Sequence, residues 1–142
     1  MRTPICGALI GLTLAGAAQA AEPARAAVLG SWRTNTDAGV VEIRPCGQTI
    51  CGALRTSEKI KADPQLPDRR NKDPRKRQRP LQGLTILTGF NPSADGWTGG
   101  EIYDPESGST YDAALKVVNG TLVVKGCLAP LLCRSERWRR ID

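Results

Sequence analysis

Carboxylates are the side chains of this sequence best suited to acid–base chemistry, because the chain contains no histidine. Without histidine neither a Ser-His-Asp triad nor a Cys-His pair can form, and the commonest zinc ligand is missing. No spacing makes two of the carboxylates a convincing acid–base pair. We therefore expect no catalytic residues, no metal and no cofactor, and a noncatalytic protein is favoured over an enzyme. The carboxylates considered are Glu42, Glu101, Asp104, Glu106 and Asp112.

Cysteine is the second reactive residue type. Apart from Cys6 near the N-terminus, the cysteines form two closely spaced pairs, Cys46 with Cys51 and Cys127 with Cys133. Each pair brackets a predicted hairpin turn, which favours two local disulfides that would each contribute about 2 kcal/mol through the unfolded state. One alternative is a zinc site of all four thiolates, but its two-residue spacings are missing. A redox pair is the other, but neither pair is Cys-x-x-Cys.

The N-terminal residues 1–20 predict a signal peptide. Arg2 supplies a positive charge, residues 5–17 are apolar and uncharged, and Ala18-Gln19-Ala20 supplies small residues where a signal peptidase cleaves. A membrane anchor is the alternative, but the apolar run is shorter than the roughly 20 residues that cross a bilayer. We predict cleavage after Ala20 and a mature protein, residues 21–142, that is periplasmic or secreted and soluble.

Basic residues concentrate in one segment of the mature chain. Between Lys59 and Arg79 the sequence has nine Lys or Arg against three Asp. Its prolines and its lack of a hydrophobic period predict a loop, 57–82, without a helix or a central strand. A solvated loop is the favoured interpretation, and contact with anionic lipid, lipopolysaccharide or a partner protein is the other. The residues expected at such a contact are Arg69, Arg70, Arg75, Lys76 and Arg77.

Nucleic acid is a poor candidate partner for this loop, because no aromatic side chain lies within the basic run to stack on bases.

The rest of the mature chain predicts antiparallel β-structure. Apolar and polar residues alternate between turn signals, of which Asn119-Gly120 is the strongest. Eight strands joined mostly by hairpins favour a small closed up-and-down barrel, which removes exposed sheet edges. We predict a single all-β barrel domain over 21–142. Its predicted strands are 28–34, 39–46, 49–56, 84–90, 97–103, 109–118, 121–127 and 132–141.

Alternation along the last strand predicts which side chains face the barrel interior. If Trp138 points inward, Arg134 and Glu136 do so too, with Tyr111 and Leu115 on a facing strand. A small barrel seldom buries charges unless they pair with each other or meet a polar ligand. These five residues are therefore candidates for the lining of a pocket for a small amphipathic molecule. The alternative, slightly favoured, is a barrel filled by side chains and an internal ion pair.

Two motifs at the ends of the barrel sequence resemble a lipocalin-like arrangement. They are Gly30-Ser31-Trp32 on the first strand and Trp138-Arg139-Arg140 on the last. In that arrangement a tryptophan closes one barrel end and packs under an arginine of the final strand, a contact that contributes about 0.5 to 2 kcal/mol. The resemblance implies that the closing residues are Gly30, Trp32, Arg139 and Arg140.

A series of motifs over nearly the whole mature chain resembles the exported bacterial family of domain of unknown function 2147. The resemblance implies a periplasmic, lipocalin-like barrel with no established activity. This chain departs from the family pattern in its extra basic residues between Asp68 and Arg79. The motifs are Gly30-Ser31-Trp32, Val41-Glu42-Ile43, Cys46-Gly47 with Cys51-Gly52, Asn71-Lys72-Asp73-Pro74, Arg79-Pro80-Leu81-Gln82-Gly83, Gly99-Gly100-Glu101-Ile102-Tyr103-Asp104-Pro105, Gly108-Ser109-Thr110-Tyr111 and Trp138-Arg139-Arg140.

Two functions fit these observations. The favoured one is noncatalytic binding of a small amphipathic or lipid-like molecule of the cell envelope. The alternative is an envelope adaptor whose basic loop docks on an anionic membrane or a partner protein while the barrel serves as a scaffold.

Overall fold

The fold is a closed antiparallel barrel of eight strands. The computed structural model describes residues 21–142, so the predicted signal peptide lies outside the described residues. The strands pair in chain order and the last returns to the first, which confirms the predicted up-and-down barrel. The elements are α1 (Ala21–Val28), β1 (Gly30–Arg33), β2 (Val40–Cys46), β3 (Thr49–Thr56), α2 (Glu58–Ala62), a short 3-10 helix (Pro74–Lys76), β4 (Thr85–Ser93), β5 (Gly96–Asp104), β6 (Ser109–Val118), β7 (Thr121–Ala129) and β8 (Leu132–Arg140).

The up-and-down order places alternate connections at opposite ends of the barrel. We call the end formed by the β1–β2, β3–β4, β5–β6 and β7–β8 connections the open end. The other end, which we call the closed end, holds α1, the remaining connections and the C-terminus. The long β3–β4 connection, which carries the basic run, therefore lies at the open end.

Apolar side chains fill the half of the barrel nearest the closed end. Strand alternation turns them inward, where they form one cluster. Full burial of one such side chain stabilises the fold by about 1.5 to 3 kcal/mol. The fully buried apolar members of the cluster include Trp32, Phe90, Ile50, Leu87, Leu115 and Leu122.

The first predicted strand is shorter than expected at its start, because Val28 ends helix α1 instead. Val28 is fully buried, and its carbonyl accepts a 2.8 Å hydrogen bond from the Trp32 indole N–H. A buried indole N–H needs such an acceptor. The chain therefore turns over the closed end before β1 begins.

The prediction of a loop without helix over 57–82 is wrong at its start, where α2 forms. The Ser57 hydroxyl accepts a 3.2 Å hydrogen bond from the Ile60 N–H and so caps this helix. Ile60, which is 2% exposed, anchors the helix to the core. Pro64 follows two residues after the helix ends, where its ring and missing N–H cause no helical strain.

Both predicted disulfides are confirmed. Cys46 and Cys51 bridge the β2–β3 hairpin at the closed end, with Cα atoms 5.8 Å apart. Cys127 and Cys133 are cross-strand partners of the β7–β8 hairpin, with Cα atoms 4.0 Å apart. Each end of the barrel is thus clipped by one covalent bond.

Candidate ligand-binding site

A cavity of about 880 Å³ occupies the barrel toward the open end. It lies above the packed half of the core, and Trp138, which is 2% exposed, belongs to both. The expectation of a filled barrel is therefore wrong for this half of the molecule. Pockets for small organic ligands are usually about 300 to 1,000 Å³, so the cavity has the size of a ligand site.

One wall of the cavity is apolar. It is formed by Val41 of β2, Leu54 of β3 and Ile86 of β4, all buried residues. Leu66 and Leu81, from the β3–β4 connection, extend this surface toward the open end. A hydrocarbon chain placed against this wall would be removed from water without leaving a polar group unpaired.

The opposite wall carries charge. β8 lies four strands from β4 and two from β2 in the closed ring, so it faces the β4 side of the apolar wall, and it contributes Arg134 and Glu136 to the cavity. Glu136 accepts a 3.1 Å hydrogen bond from the Trp138 indole N–H. Among the described residues, no ion pair joins Arg134 to Glu136. The internal ion pair expected of a filled barrel is thus missing from this part of the chain; the exposed Arg134 and the half-buried Glu136 both border the cavity.

The sequence-predicted lining residues lie on this charged side of the barrel. Tyr111, Arg134, Glu136 and Trp138 border the cavity. Leu115 lies deeper on β6, 1% exposed within the packed core. Alternation placed all five on the interior face, but it could not show at which depth the packed core ends.

The closed end is sealed by the Trp32 ring under the Arg140 guanidinium, whose central carbon lies 4.3 Å from the ring centroid. Arg140 also donates hydrogen bonds to the carbonyls of Leu29 (2.9 Å) and Ala27. Gly30 has a φ of 114°, and a Cβ there would lie 2.7 Å from an Arg140 nitrogen. The Gly-x-Trp motif therefore leaves room for the arginine to cover the ring.

Arg139, which was predicted together with Arg140 to close the barrel, does not stack on Trp32. It is exposed on β8 and pairs in register with Arg33 of β1. Its exposure follows from alternation, since neighbouring residues of a strand point to opposite faces.

A buried carboxylate, Asp68, anchors the β3–β4 connection to the barrel. Asp68 is fully buried and accepts hydrogen bonds from the Tyr103 hydroxyl (2.5 Å), the Asn71 amide (2.9 Å) and Arg79 Nε (3.0 Å). Burial, followed by the bond to the Asp68 carboxylate, raises the pKa of Tyr103 to about 12. Sequence reasoning missed this cluster, although Asn71 and Tyr103 both lie in the family motifs.

The β5–β6 turn packs directly against this anchored segment. Gly108 has a φ of 70°, and a Cβ there would lie 1.8 Å from the Arg70 carbonyl oxygen. Glu106 of the same turn pairs with Lys59 (2.5 Å) and more loosely with Arg70 (3.8 Å). The bond to Glu106 raises the pKa of Lys59. These contacts fix the β3–β4 connection on one side of the cavity mouth.

The residues expected to contact anions lie on this anchored segment and are exposed. The Arg75 side chain is 89% exposed and pairs with Asp73 (3.1 Å). Arg77 donates a 2.8 Å hydrogen bond from Nε to the Asn71 carbonyl. The segment is thus ordered by its buried residues while it presents its cations to solvent. The exposed cations of the prediction are Arg69, Arg70, Arg75, Lys76 and Arg77.

The carboxylates considered for acid–base chemistry are spread over the molecule. Glu101 and Asp112 are cross-strand partners on exposed positions of β5 and β6. Glu42 pairs with Arg55 (2.5 Å), while Asp104 and Glu106 border the cavity mouth. No group of three or more Cys, Asp or Glu within residues 21–142 is placed to hold a metal ion. The arrangement supports binding chemistry at the cavity.

A closed eight-stranded barrel with an internal cavity open at one end defines a lipocalin-like protein. Among solved structures the chain is similar to protein HP1028 from the human pathogen Helicobacter pylori, a protein described as belonging to the lipocalin family. The TM-score is 0.71 and the sequence identity is 16%. The match covers 81% of this chain and 83% of that chain. At this identity the likeness shows the fold alone.

The chain belongs to the family described as "Uncharacterized protein conserved in bacteria (DUF2147)", whose sequence profile matches residues 30–140. That range runs from the glycine that opens β1 to the arginine that covers Trp32. No curated protein matches the chain. None of the described helices is long and apolar enough to span a membrane.

Proposed function

We propose that this protein binds a small amphipathic or lipid-like molecule of the bacterial envelope, without converting it. The observation that carries the proposal is the cavity of about 880 Å³, which has an apolar wall on one side and two charged side chains on the other. The apolar part of the ligand lies against Val41, Leu54 and Ile86. Its polar end meets Arg134 and Glu136.

The charged pair indicates the chemistry of the polar end. Arg134 supplies up to five N–H donors in a fork that matches a carboxylate or a phosphate. Glu136 already accepts the Trp138 N–H and retains acceptor capacity for a hydroxyl or an ammonium group. An anionic head group that also carries a donor satisfies both residues.

The compartment proposed for this activity is the periplasm. Two disulfides in a small domain are typical of proteins that fold in an oxidising space. The sequence of residues 1–20 has the features of a cleaved signal peptide. An envelope lipid or a lipid precursor would be available to the protein there.

Native mass spectrometry of protein purified from its own periplasm tests the proposal. We expect a retained molecule with an aliphatic part and an acidic group, released when the protein is unfolded. For the delipidated protein, the probe is a fluorescent fatty-acid analogue, and the buried tryptophans, of which Trp138 lies in the cavity wall, serve as energy-transfer donors. Arg134→Gln should weaken probe binding by about tenfold, the cost of one charge-assisted hydrogen bond.

Arg137→Gln is the matched control, because Arg137 is an exposed residue of the same strand and points to the outer face. Its probe affinity should equal that of the unmodified protein. Equal losses in both variants, or no probe binding by the delipidated protein, would argue against a cavity ligand held at Arg134.

A further inference from the structure

The β7–β8 connection at the open end exposes an unusual amount of apolar surface. Leu128, Leu131 and Leu132 are 70%, 95% and 64% exposed. Ala129 and Pro130 complete a run of five apolar residues without a charge. We call residues 128–132 the apolar tip. Contiguous exposed apolar surface of this kind marks sites of contact with a protein or a membrane.

The apolar tip is held in a fixed shape. Ala129 and Leu132 are cross-strand partners, so only Pro130 and Leu131 form the turn. The Cys127–Cys133 disulfide closes the hairpin immediately below the tip. Its leucines are therefore presented by a rigid hairpin, which reduces the conformational entropy lost when they are buried on contact.

Exposed cations lie on the β3–β4 connection at the same end. Within residues 21–142, Arg69, Lys72 and Lys76 are exposed and form no ion pair. Two of the three Asp residues of this basic run are already engaged, Asp68 with Arg79 and Asp73 with Arg75. The segment therefore presents uncompensated positive charge.

The apolar tip and the basic connection border the same opening. Leu128, Leu131 and Leu132 line one side of the cavity mouth, and Leu66 and Leu81 of the β3–β4 connection line another. A surface that approaches the open end would meet leucines from the hairpin and cations from the connection together. Apolar side chains combined with Lys and Arg are the pattern that binds the interface of an anionic bilayer.

We infer that the open end of the barrel docks on an anionic lipid bilayer. The apolar tip enters the zone between head groups and acyl chains, and the exposed cations contact lipid phosphates. In this orientation the cavity mouth faces the membrane, so a ligand can pass between bilayer and barrel without crossing water. A symmetric dimer through the same end would bring two basic connections together, which disfavours a second copy as the occupant.

Vesicle flotation of the mature protein tests the inference. The probes are vesicles of phosphatidylcholine alone and of phosphatidylcholine mixed with phosphatidylglycerol. We expect binding to the mixed vesicles only, and we expect it to weaken with added salt because surface charges are screened. Leu131→Ser should reduce the partition coefficient by about fivefold to tenfold. The double variant Lys72→Glu, Lys76→Glu should reduce it by at least about tenfold.

Matched controls lie at the closed end. Val118→Ser changes an apolar residue, 37% exposed, beside the β6–β7 turn. Arg44→Glu with Lys116→Glu changes two exposed cations on the outer face of β2 and β6. Both controls should weaken flotation far less than the corresponding open-end variants. Arg44→Glu with Lys116→Glu changes the net charge by the same amount as Lys72→Glu with Lys76→Glu, so net charge alone would not explain a difference between them.

Several results would overturn the inference. They are equal binding to neutral and mixed vesicles, no binding to either, and equal losses from open-end and closed-end variants. A concentration-dependent dimer in sedimentation velocity that Leu131→Ser abolishes, without vesicle binding, would assign the apolar tip to self-association. Phosphatidylglycerol is itself a candidate cavity ligand, so Gly126→Val, which takes up cavity space without changing the charge, is floated alongside. Docking through the apolar tip predicts that this variant floats like the unmodified protein, and a loss as large as that of Leu131→Ser would overturn the inference.

Discussion

The Tyr103 hydroxyl donates a 2.5 Å hydrogen bond to Oδ1 of Asp68, which joins β5 to the connection between β3 and β4. The other Asp68 oxygen accepts from Asn71 and Arg79. A carboxylate removed from water costs several kcal/mol unless such donors replace its hydration. The buried carboxylate of Asp68 therefore holds the most positively charged segment of the chain against the barrel.

Asp68→Asn should lower the free energy of unfolding by about 2 kcal/mol, because it removes the charge that Arg79 and the Tyr103 hydroxyl both meet. Urea unfolding measures this change. Amide hydrogen exchange should accelerate over residues 66–81 in particular. The control is Asp73→Asn, because the Asp73 carboxylate pairs with the largely exposed Arg75 and its loss should change the free energy of unfolding far less. Equal effects of the two substitutions would contradict the anchoring role.

The raised pKa of Tyr103 predicts a loss of stability at alkaline pH. In the unfolded chain a tyrosine ionises near its ordinary value of 10.0, whereas folding raises the pKa of Tyr103 to about 12. The stabilisation is thus complete below pH 10 and is lost as the pH rises toward 12. In Tyr103→Phe, the free energy of unfolding should no longer show this additional decrease as the pH rises from 10 toward 12. An identical alkaline profile in both proteins would show that Tyr103 is not held neutral by the fold.

The barrel could be predicted from the sequence because its signals are local. Hairpin turns such as Asn119-Gly120 and a strict apolar alternation fix each strand and its inward face independently. The same alternation predicted that Arg134, Glu136 and Trp138 share a face, and all three border the cavity. Residue spacing also indicated both disulfides, since each bridge spans a single hairpin.

The parts that could not be predicted depend on contacts between distant segments. Asp68 looks like any turn aspartate in the sequence, and its burial depends on Tyr103, 35 positions away. The apolar tip falls between two predicted strands, apart from Leu132, and its exposure could not be predicted because an exposed leucine and a buried one have the same local pattern. The depth of the cavity depends on how far side chains such as Phe90 and Leu115 fill the interior, which is a property of packing.

Arg140→Gln should destabilise the protein by about 1 to 2 kcal/mol, because it removes the cation over Trp32 and hydrogen bonds to two backbone carbonyls at the closed end. The control is Arg139→Gln, at an exposed position one residue earlier, with an expected change below about 0.5 kcal/mol. Thermal or urea unfolding distinguishes them. A larger loss from Arg139 than from Arg140 would mean that the closed end is not sealed by this stack.

The double variant Cys127→Ser, Cys133→Ser should lower the free energy of unfolding by about 2 kcal/mol, the loop-closure entropy of a six-residue ring. In the vesicle assay it should also weaken binding, because the apolar tip is then no longer rigid. The control is Cys46→Ser with Cys51→Ser, which opens a ring of similar size at the closed end. It should show a similar loss of stability with no change in vesicle binding. A vesicle-binding loss of the same size in both variants would contradict a specific role for the hairpin.

Gly126→Val should have two effects: it should fill part of the cavity, and it should stabilise the barrel. Gly126 lies on the interior face of β7 opposite Arg134, and an added Cβ would lie 3.7 Å from Ile102 and from Tyr111, an ordinary contact distance. Replacing a glycine within a strand by a residue that fits its backbone raises the free energy of unfolding by about 0.5 to 1 kcal/mol.

The same substitution takes up cavity space beside Arg134, so the fluorescent fatty-acid analogue should bind several-fold more weakly while the unfolding midpoint rises. The neighbouring Lys125→Val is the control, because Lys125 is exposed on the outer face of the same strand. It should leave probe affinity unchanged. If Gly126→Val bound the probe as tightly as the unmodified protein, the ligand would have to lie away from the β7–β8 wall, and the assignment of Arg134 to its polar end would be wrong.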